Sequence, residues 1–189
     1  MGNLIEIRWH ARGGQGAKTA SFLLAEALIA QGRFAQGFPD YGPERMGAPI
    51  RGYNRIDDEP IRLHCDIEEP DIVVVLDPTL IATENVIKGL VNGGKVLVNT
   101  KESPSAIGEK IGLKDGKVFV VDATGIALEE TKRPIPNLPM IGALLRISNL
   151  SDIESMVSIV KKKFEGKFKQ SEIDANLRAL RRGYDEVKG

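Results

Sequence analysis

A glycine-rich turn at residues 12–16, Arg-Gly-Gly-Gln-Gly, is the first feature of this sequence that can do chemistry. It lies between residues 4–9, whose apolar and polar side chains alternate as in a strand, and residues 17–30, whose apolar spacing predicts a helix. Glycines allow a tight turn, and the amides at the start of a helix favour an anionic group. Two interpretations stay open: a turn that only joins strand to helix, and a turn that contacts a phosphate or carboxylate.

The turn matches no complete nucleotide-binding fingerprint. Gly14 and Gly16 fit the first two glycines of the dinucleotide motif, but Thr19 stands where the third belongs. The phosphate-loop motif fails as well, because Ala17 separates Gly16 from Lys18. The turn therefore indicates where a ligand would bind and not which ligand.

A second candidate is the loop at residues 40–49, which is dense in glycine, proline and charge. Such a segment suits neither a helix nor a central strand, and loops of this kind often carry function. Arg45 can form a bidentate pair with a carboxylate or phosphate, and Glu44 can orient it. A solvated loop with a local Glu–Arg contact is the alternative. We expect Arg51 and Arg55 on the exposed face of the strand that follows.

A third candidate is the segment at residues 133–142, which opens a predicted helix. Asn137 is suited to be its N-cap, with Pro139 in the first turn. Capping alone would explain the asparagine. The helix also follows the predicted strand at residues 117–121, however, and open α/β sheets bind ligands beyond the carboxyl ends of their strands.

Strands and helices alternate along the chain, which predicts an α/β fold with a mostly parallel sheet and helices on both faces. Residues 38–66 interrupt this order and predict an inserted loop and hairpin. We expect a single domain at residues 1–189 with a C-terminal helical extension at about 170–189, packed on its own domain or reaching a partner as an arm. The predicted strands are residues 4–9, 33–38, 50–56, 72–76, 95–99 and 117–121, and the predicted helices are residues 17–30, 80–90, 138–147, 152–164 and 170–187.

The composition excludes several classes of protein. The 189 residues carry 26 Lys plus Arg and 26 Asp plus Glu, so no global basic field attracts nucleic acid or an anionic membrane. The longest apolar run is far short of a membrane span and no signal peptide is evident, so we expect a cytoplasmic protein. One cysteine, Cys65, excludes an internal disulfide and Cys-based zinc or iron–sulfur motifs within the chain. His10 and His64 lack metal-ligand spacing, and no nucleophile motif is present, which indicates no metal, no catalytic residue of its own and a role as a subunit.

Three motifs that occur in order along the chain carry a resemblance to a known family. The turn at residues 12–16, the loop at residues 41–49 and the segment at residues 137–143 together resemble the gamma subunits of the 2-oxoacid:ferredoxin oxidoreductases. The resemblance is closest to the pyruvate:ferredoxin oxidoreductases (pyruvate synthases), and it covers nearly the whole chain.

The resemblance implies a multi-subunit enzyme that oxidatively decarboxylates pyruvate with coenzyme A and reduces ferredoxin. It implies alpha, beta and delta partner subunits in a heterotetramer, with thiamine diphosphate, magnesium and [4Fe-4S] clusters held outside this chain. The isolated chain is then expected to be inactive and to bind no cofactor alone. The residues expected at the coenzyme A site or the subunit interface are Arg12, Gly13, Gly14, Gln15, Gly16, Glu44, Arg45 and Asn137.

Three alternatives remain beside this interpretation. The chain can be a gamma subunit for another 2-oxoacid, or a non-catalytic assembly module whose glycine turn is purely structural. It can also be a self-sufficient oxidoreductase that uses NAD or a flavin. That hypothesis requires an acidic residue about 20 positions beyond the glycines, and Asp40 lies at the edge of this range.

Overall fold

Six strands form one sheet in the computed structural model of the chain, which describes residues 4–40 and 47–189. Their order across the sheet is β2-β3-β1-β4-β5-β6. The strands are β1 (Ile5–Arg12), β2 (Phe34–Pro39), β3 (Pro49–Asp57), β4 (Ile72–Val75), β5 (Lys95–Asn99) and β6 (Lys117–Val121).

The sheet is mostly parallel, as predicted. β1, β4, β5 and β6 pair in parallel, while β3 runs opposite to β1 and β2 on either side of it. β2 and β3 form a hairpin that begins before the predicted range of residues 38–66, because β2, at residues 34–39, is its first strand. Arg12, predicted to be the first residue of the glycine turn, is instead the last residue of β1.

Helices cover both faces of the sheet, which confirms the predicted α/β architecture. On one face, Trp9 of β1 and Leu97 of β5 contribute to the larger apolar cluster beneath α1 and α4. On the other face, Val75 and Val98 pack with Ile107 of α2 in a smaller cluster. The helices are α1 (Ala17–Ala30), α2 (Pro104–Ile111), α3 (Ala123–Thr131), α4 (Asn137–Ser148), α5 (Ile153–Phe164) and α6 (Gln170–Glu186).

The C-terminal helix α6 packs along α4 at two glycines. A Cβ on Gly142 would overlap the carbonyl oxygen of Leu180, and a Cβ on Gly183 would overlap the carbonyl oxygen of Pro139. The two backbones therefore approach each other more closely than any other residue type would permit. Ala179 and Leu180 are fully buried beneath this crossing, so α6 lies on the sheet-bearing domain rather than extending away from it.

The helix predicted at residues 80–90 is wrong. The chain forms a short 3₁₀ helix at Pro78–Ala82 and continues in turns. The buried guanidinium of Arg8 binds the carbonyl oxygens of Val86 and Lys88, and a helix over residues 80–90 would need the first of these for the amide of Leu90. Gly89 also has a φ of 75°, outside the helical range.

Two helices and one buried side chain differ from the prediction as well. Helices α2 and α3 were not predicted, although Ser103 and Asp122 cap them through hydrogen bonds from the amides of Ala106 and Gly125. Arg55 was expected to be exposed and is instead 1% exposed, because its Nε donates to Glu6 Oε1 at 2.7 Å across the sheet. Arg51 remains at the surface, with 47% of its side chain exposed.

Candidate functional site

The chain turns to opposite faces of the sheet at the carboxyl ends of β1 and β4. After β1 the chain enters α1, on the face covered by the larger apolar cluster. After β4 it enters the 3₁₀ helix, whose Leu80 belongs to the smaller cluster on the other face. Such a divergence between neighbouring parallel strands opens a crevice, which is the usual ligand site of α/β sheets. This crevice lies between the glycine turn and the loop that begins at Asp77.

The glycine turn needs its glycines for backbone conformation. Gly14 has a φ of 97° and Gly16 a φ of 84°, both in the left-handed region. Gly16 is also the N-cap of α1 and supplies no side chain to its amides. The first amides of a helix lack intrahelical acceptors and lie at the positive end of its dipole, so this end of α1 favours an anion.

Asp77 ties the two sides of the crevice together. Its Oδ2 accepts a hydrogen bond from Gln15 Nε2 at 2.7 Å and lies 3.4 Å from Arg12 Nε. Its Oδ1 accepts from the Thr79 hydroxyl at 2.6 Å and from the Thr79 amide at 3.0 Å. Burial acts to raise the pKa of Asp77, but the hydrogen bonds from Thr79 and Gln15 and the charge of Arg12 outweigh it and lower the pKa.

The end of the second predicted motif reaches the same turn. The Gly13 amide donates to the Ala48 carbonyl oxygen at 2.9 Å, and the Gly47 amide donates to the Gly13 carbonyl oxygen at 3.2 Å. Arg12 Nη1 also donates to the Gly47 carbonyl oxygen at 3.2 Å. Glu44 and Arg45 of this motif lie outside the described residues.

Asn137 of the third motif lies against the glycine turn. A Cβ on Gly16 would be 2.7 Å from Asn137 Nδ2, so the glycine leaves the room that this side chain occupies. The predicted N-cap role is wrong: Pro136 is the N-cap, and Asn137 is the first residue of α4, with its Oδ1 accepting from the Leu138 amide at 2.9 Å. Proline fixes its own φ near the helical value, which lets the helix begin one residue earlier. The asparagine amide group is thereby directed at the turn, and Pro139 lies in the first turn of α4 as predicted.

Two buried polar side chains of β1, Arg8 and His10, begin a row of polar groups that reaches the surface at Arg51 of β3. Arg8 Nε donates to His10 Nε2 at 3.1 Å, so the neutral ring carries its proton on Nδ1, 3.4 Å from Glu84 Oε2. Glu84 Oε2 is in turn 3.7 Å from Arg51 Nη2. Burial, reinforced by the charges of Arg8 and Arg51, lowers the pKa of His10 to about 3, so the ring is neutral at physiological pH.

The described polar side chains of this site hold one another through hydrogen bonds and an ion pair. Within residues 4–40 and 47–189, no group of three or more His, Cys, Asp or Glu side chains is placed to hold a metal ion. The carboxylate of Asp77 accepts hydrogen bonds from two residues, Gln15 and Thr79, and pairs with Arg12. In the same ranges, no helix has the length and apolar character needed to cross a membrane.

Asp77 is the main site residue that the sequence analysis missed. It lies two residues after the end of the buried strand β4 and directly before Pro78, so it stands at the carboxyl end of the strand beside β1. That position was the available signal. Thr79, which directly precedes the helix predicted at residues 80–90, was missed with it.

The chain is similar to known proteins over nearly its whole length. Residues 6–186 match the family described as pyruvate ferredoxin/flavodoxin oxidoreductase. The chain is 52% identical to the pyruvate synthase subunit PorC of Thermotoga maritima, over 97% of this chain and 94% of the relative. It is 49% identical to the pyruvate/ketoisovalerate oxidoreductases common subunit gamma of Thermococcus kodakarensis, over 86% of this chain and 88% of the relative. The crystal structure of the pyruvate oxidoreductase subunit PORC from Thermotoga maritima has a TM-score of 0.87 and 50% identity, and the match covers 98% of this chain and 97% of that one.

Proposed function

The chain belongs to the pyruvate ferredoxin/flavodoxin oxidoreductase family, and we propose that it is the gamma subunit of a pyruvate:ferredoxin oxidoreductase. The complete enzyme converts pyruvate, coenzyme A and oxidised ferredoxin to acetyl-CoA, carbon dioxide and reduced ferredoxin. This chain helps to shape the path by which coenzyme A approaches the catalytic centre, and it is inactive alone.

One observation carries the proposal: the glycine turn contacts the Asn137 side chain at Gly16 and, through Gln15, the carboxylate of Asp77 beside the Arg12 guanidinium. Coenzyme A carries several phosphates, and helix-start amides and an arginine are suited to bind them. The contribution of this chain is to hold a reactant in place, which favours reaction without any proton transfer by the chain itself. The proposed site comprises Arg12, Gly13, Gly14, Gln15, Gly16, Glu44, Arg45 and Asn137.

The redox groups of the enzyme belong to its other subunits in this proposal. A [4Fe-4S] cluster needs several thiolates, and this chain has a single cysteine, the exposed Cys65. The residues present therefore do not fit such a cluster. We propose alpha, beta and delta subunits as partners that hold the clusters, thiamine diphosphate and magnesium.

The choice of 2-oxoacid is not set by this chain in our proposal. The relative from Thermococcus kodakarensis is named as a subunit common to pyruvate and ketoisovalerate enzymes. A gamma subunit at the coenzyme A path serves both reactions equally well, because coenzyme A is the co-substrate in each. A complex that oxidises a second 2-oxoacid is therefore compatible with the same role for this chain.

The sheet order counts against a self-sufficient NAD enzyme. Asp40, the acidic residue that this alternative requires, follows β2, and β3 separates β2 from β1. In the dinucleotide fold the acidic residue ends the strand next to the glycine turn, where it reaches the ribose. Here an intervening strand separates the two.

Native purification under anaerobic conditions tests the proposed function. We expect this chain to co-purify with larger subunits that give brown iron–sulfur absorbance, and the complex to reduce ferredoxin with pyruvate only when coenzyme A is present. Ketoisovalerate is the comparison substrate, and the isolated chain is the negative control. A colourless chain that purifies alone and binds NAD would overturn the proposal.

A further inference from the structure

Asp77 occupies a position from which it can determine the shape of the whole crevice. It is 9% exposed, and its two oxygens receive separate sets of donors. Oδ1 faces the amide and hydroxyl of Thr79, while Oδ2 faces Gln15 Nε2 and Arg12 Nε. The carboxylate thus contacts both the turn after β1 and the loop after β4.

The carboxylate fixes which way the Gln15 amide points. A carboxylate accepts hydrogen bonds and donates none, so Gln15 must turn its Nε2 toward Asp77. Its Oε1 is then left to accept from the Arg12 amide, which it does at 2.8 Å. The backbone N–H of Gln15 donates to the Arg12 carbonyl oxygen at 3.1 Å. The turn is thus closed by this backbone bond and by the Gln15 side chain, whose orientation depends on Asp77.

The same carboxylate and its neighbour Thr79 aim the Arg12 side chain. Arg12 Nε and Nη2 lie 3.2 and 3.0 Å from the Thr79 hydroxyl oxygen. That hydroxyl donates its own proton to Asp77 Oδ1, so its lone pairs face the guanidinium. The guanidinium is held at the crevice with 31% of its side chain exposed, which leaves it accessible to a ligand.

We propose that Asp77 is a positioning residue for the coenzyme A site. Through Gln15 it sets the conformation of the glycine turn, and through Arg12 it places the cation that meets a phosphate. This inference rests on the proposed function, and it adds to it a residue outside the three sequence motifs.

Exchanging the donor and the acceptor of the Gln15–Asp77 hydrogen bond tests the proposal in the purified complex. In Asp77→Asn the remaining oxygen can still accept from Thr79, but the new NH2 group then faces Gln15 Nε2, so two donors meet. In Gln15→Glu two carboxylates meet instead. The double variant Gln15→Glu/Asp77→Asn restores a donor opposite an acceptor and keeps the total charge. We expect each single substitution to raise the KM for coenzyme A at least about tenfold with the KM for pyruvate unchanged. The double variant should lower it again, short of the wild-type value because the contact between Asp77 Oδ2 and Arg12 Nε stays lost.

The outcomes separate a positioning role from a general loss of structure. A double variant that assembles and lowers the KM for coenzyme A again supports the proposal even if Asp77→Asn alone fails to assemble. A double variant that fails to assemble, or whose KM is no better than those of the single variants, overturns it. Thr79→Val is a milder probe, and an unchanged KM for coenzyme A in this variant and in Asp77→Asn also overturns it. If the wild-type complex turns over pyruvate without needing coenzyme A, the proposed function fails instead.

Discussion

Gly16 and Asn137 adjoin each other although 120 residues separate them in the chain. A Cβ on the glycine would lie 2.7 Å from the asparagine Nδ2, closer than real side chains approach. The turn after β1 and the start of α4 therefore depend on each other, and two of the sequence motifs become parts of one site.

Alanine at Gly16 should impair the site more than alanine at Gly14. Both glycines have a positive φ, so both substitutions strain the backbone by about 1 kcal/mol or more. A Cβ on Gly14 meets nothing within 4 Å, whereas one on Gly16 displaces Asn137. We expect the KM of the complex for coenzyme A to rise severalfold more for Gly16→Ala than for Gly14→Ala.

Removing the Asn137 side chain distinguishes its steric conflict with residue 16 from its contact with the ligand. In Gly16→Ala/Asn137→Ala the contacts with the Asn137 amide group are gone and only a tight 3.1 Å contact between the two Cβ atoms remains, so thermal stability should return most of the way to that of Gly14→Ala. The KM for coenzyme A should stay raised, because the Asn137 amide is lost. Full recovery of the KM in this double variant would show that Asn137 does not contact the ligand.

The α4–α6 crossing should not tolerate alanine at either glycine. We expect Gly142→Ala and Gly183→Ala each to lower the free energy of unfolding by roughly 3 kcal/mol, because the methyl group overlaps backbone that cannot move aside. Gly108→Ala in α2 is the matched control, since its Cβ would make an ordinary 3.7 Å contact with Val118. That variant should be stabilised by about 0.5 kcal/mol through helix propensity. Denaturant titration measures all three.

The buried His10 predicts a loss of stability in acid. Its pKa is lowered to about 3 in the folded chain, whereas the unfolded chain retains the ordinary value near 6.5. Between these pH values the unfolded state binds one proton more than the folded state. The contribution of His10 to the free energy of unfolding is therefore complete above pH 6.5 and falls by about 1.4 kcal/mol for each unit that the pH is lowered below it. His10→Gln should remove this slope.

His64 provides the control for that measurement, because it is exposed. His64→Gln makes the same substitution at the surface and is measured beside His10→Gln. An NMR titration checks the same claim directly. A His10 ring that titrates near pH 6.5 in the folded chain would refute the assignment.

Local signals in the sequence were sufficient for most of the fold. The β-branched run of β4 and the apolar spacing of α1 depend on neighbours within a few residues, so both elements were predicted. The position of the glycine turn beyond β1 followed from the same reasoning. Helices and strands of this kind are decided by periodicity and turn residues that can be read directly.

Contacts between distant residues decided what the sequence analysis missed. Residues 80–90 have helical apolar spacing, but Arg8 on β1 binds the carbonyl oxygens of Val86 and Lys88. Arg55 alternates with apolar neighbours like an exposed residue, and only the pairing of β1 with β3 brings Glu6 to it. Asp77 meets Gln15 only because β4 pairs with β1 and their carboxyl ends are neighbours.

Hydrogen–deuterium exchange of the purified complex with and without coenzyme A tests most directly whether this crevice lies on the path of coenzyme A. We predict that amides in residues 13–20 and 137–141 exchange at least about threefold more slowly when coenzyme A is bound, while those in α5 are unchanged. Coenzyme A-dependent turnover without slower exchange in residues 13–20 and 137–141 would contradict the account.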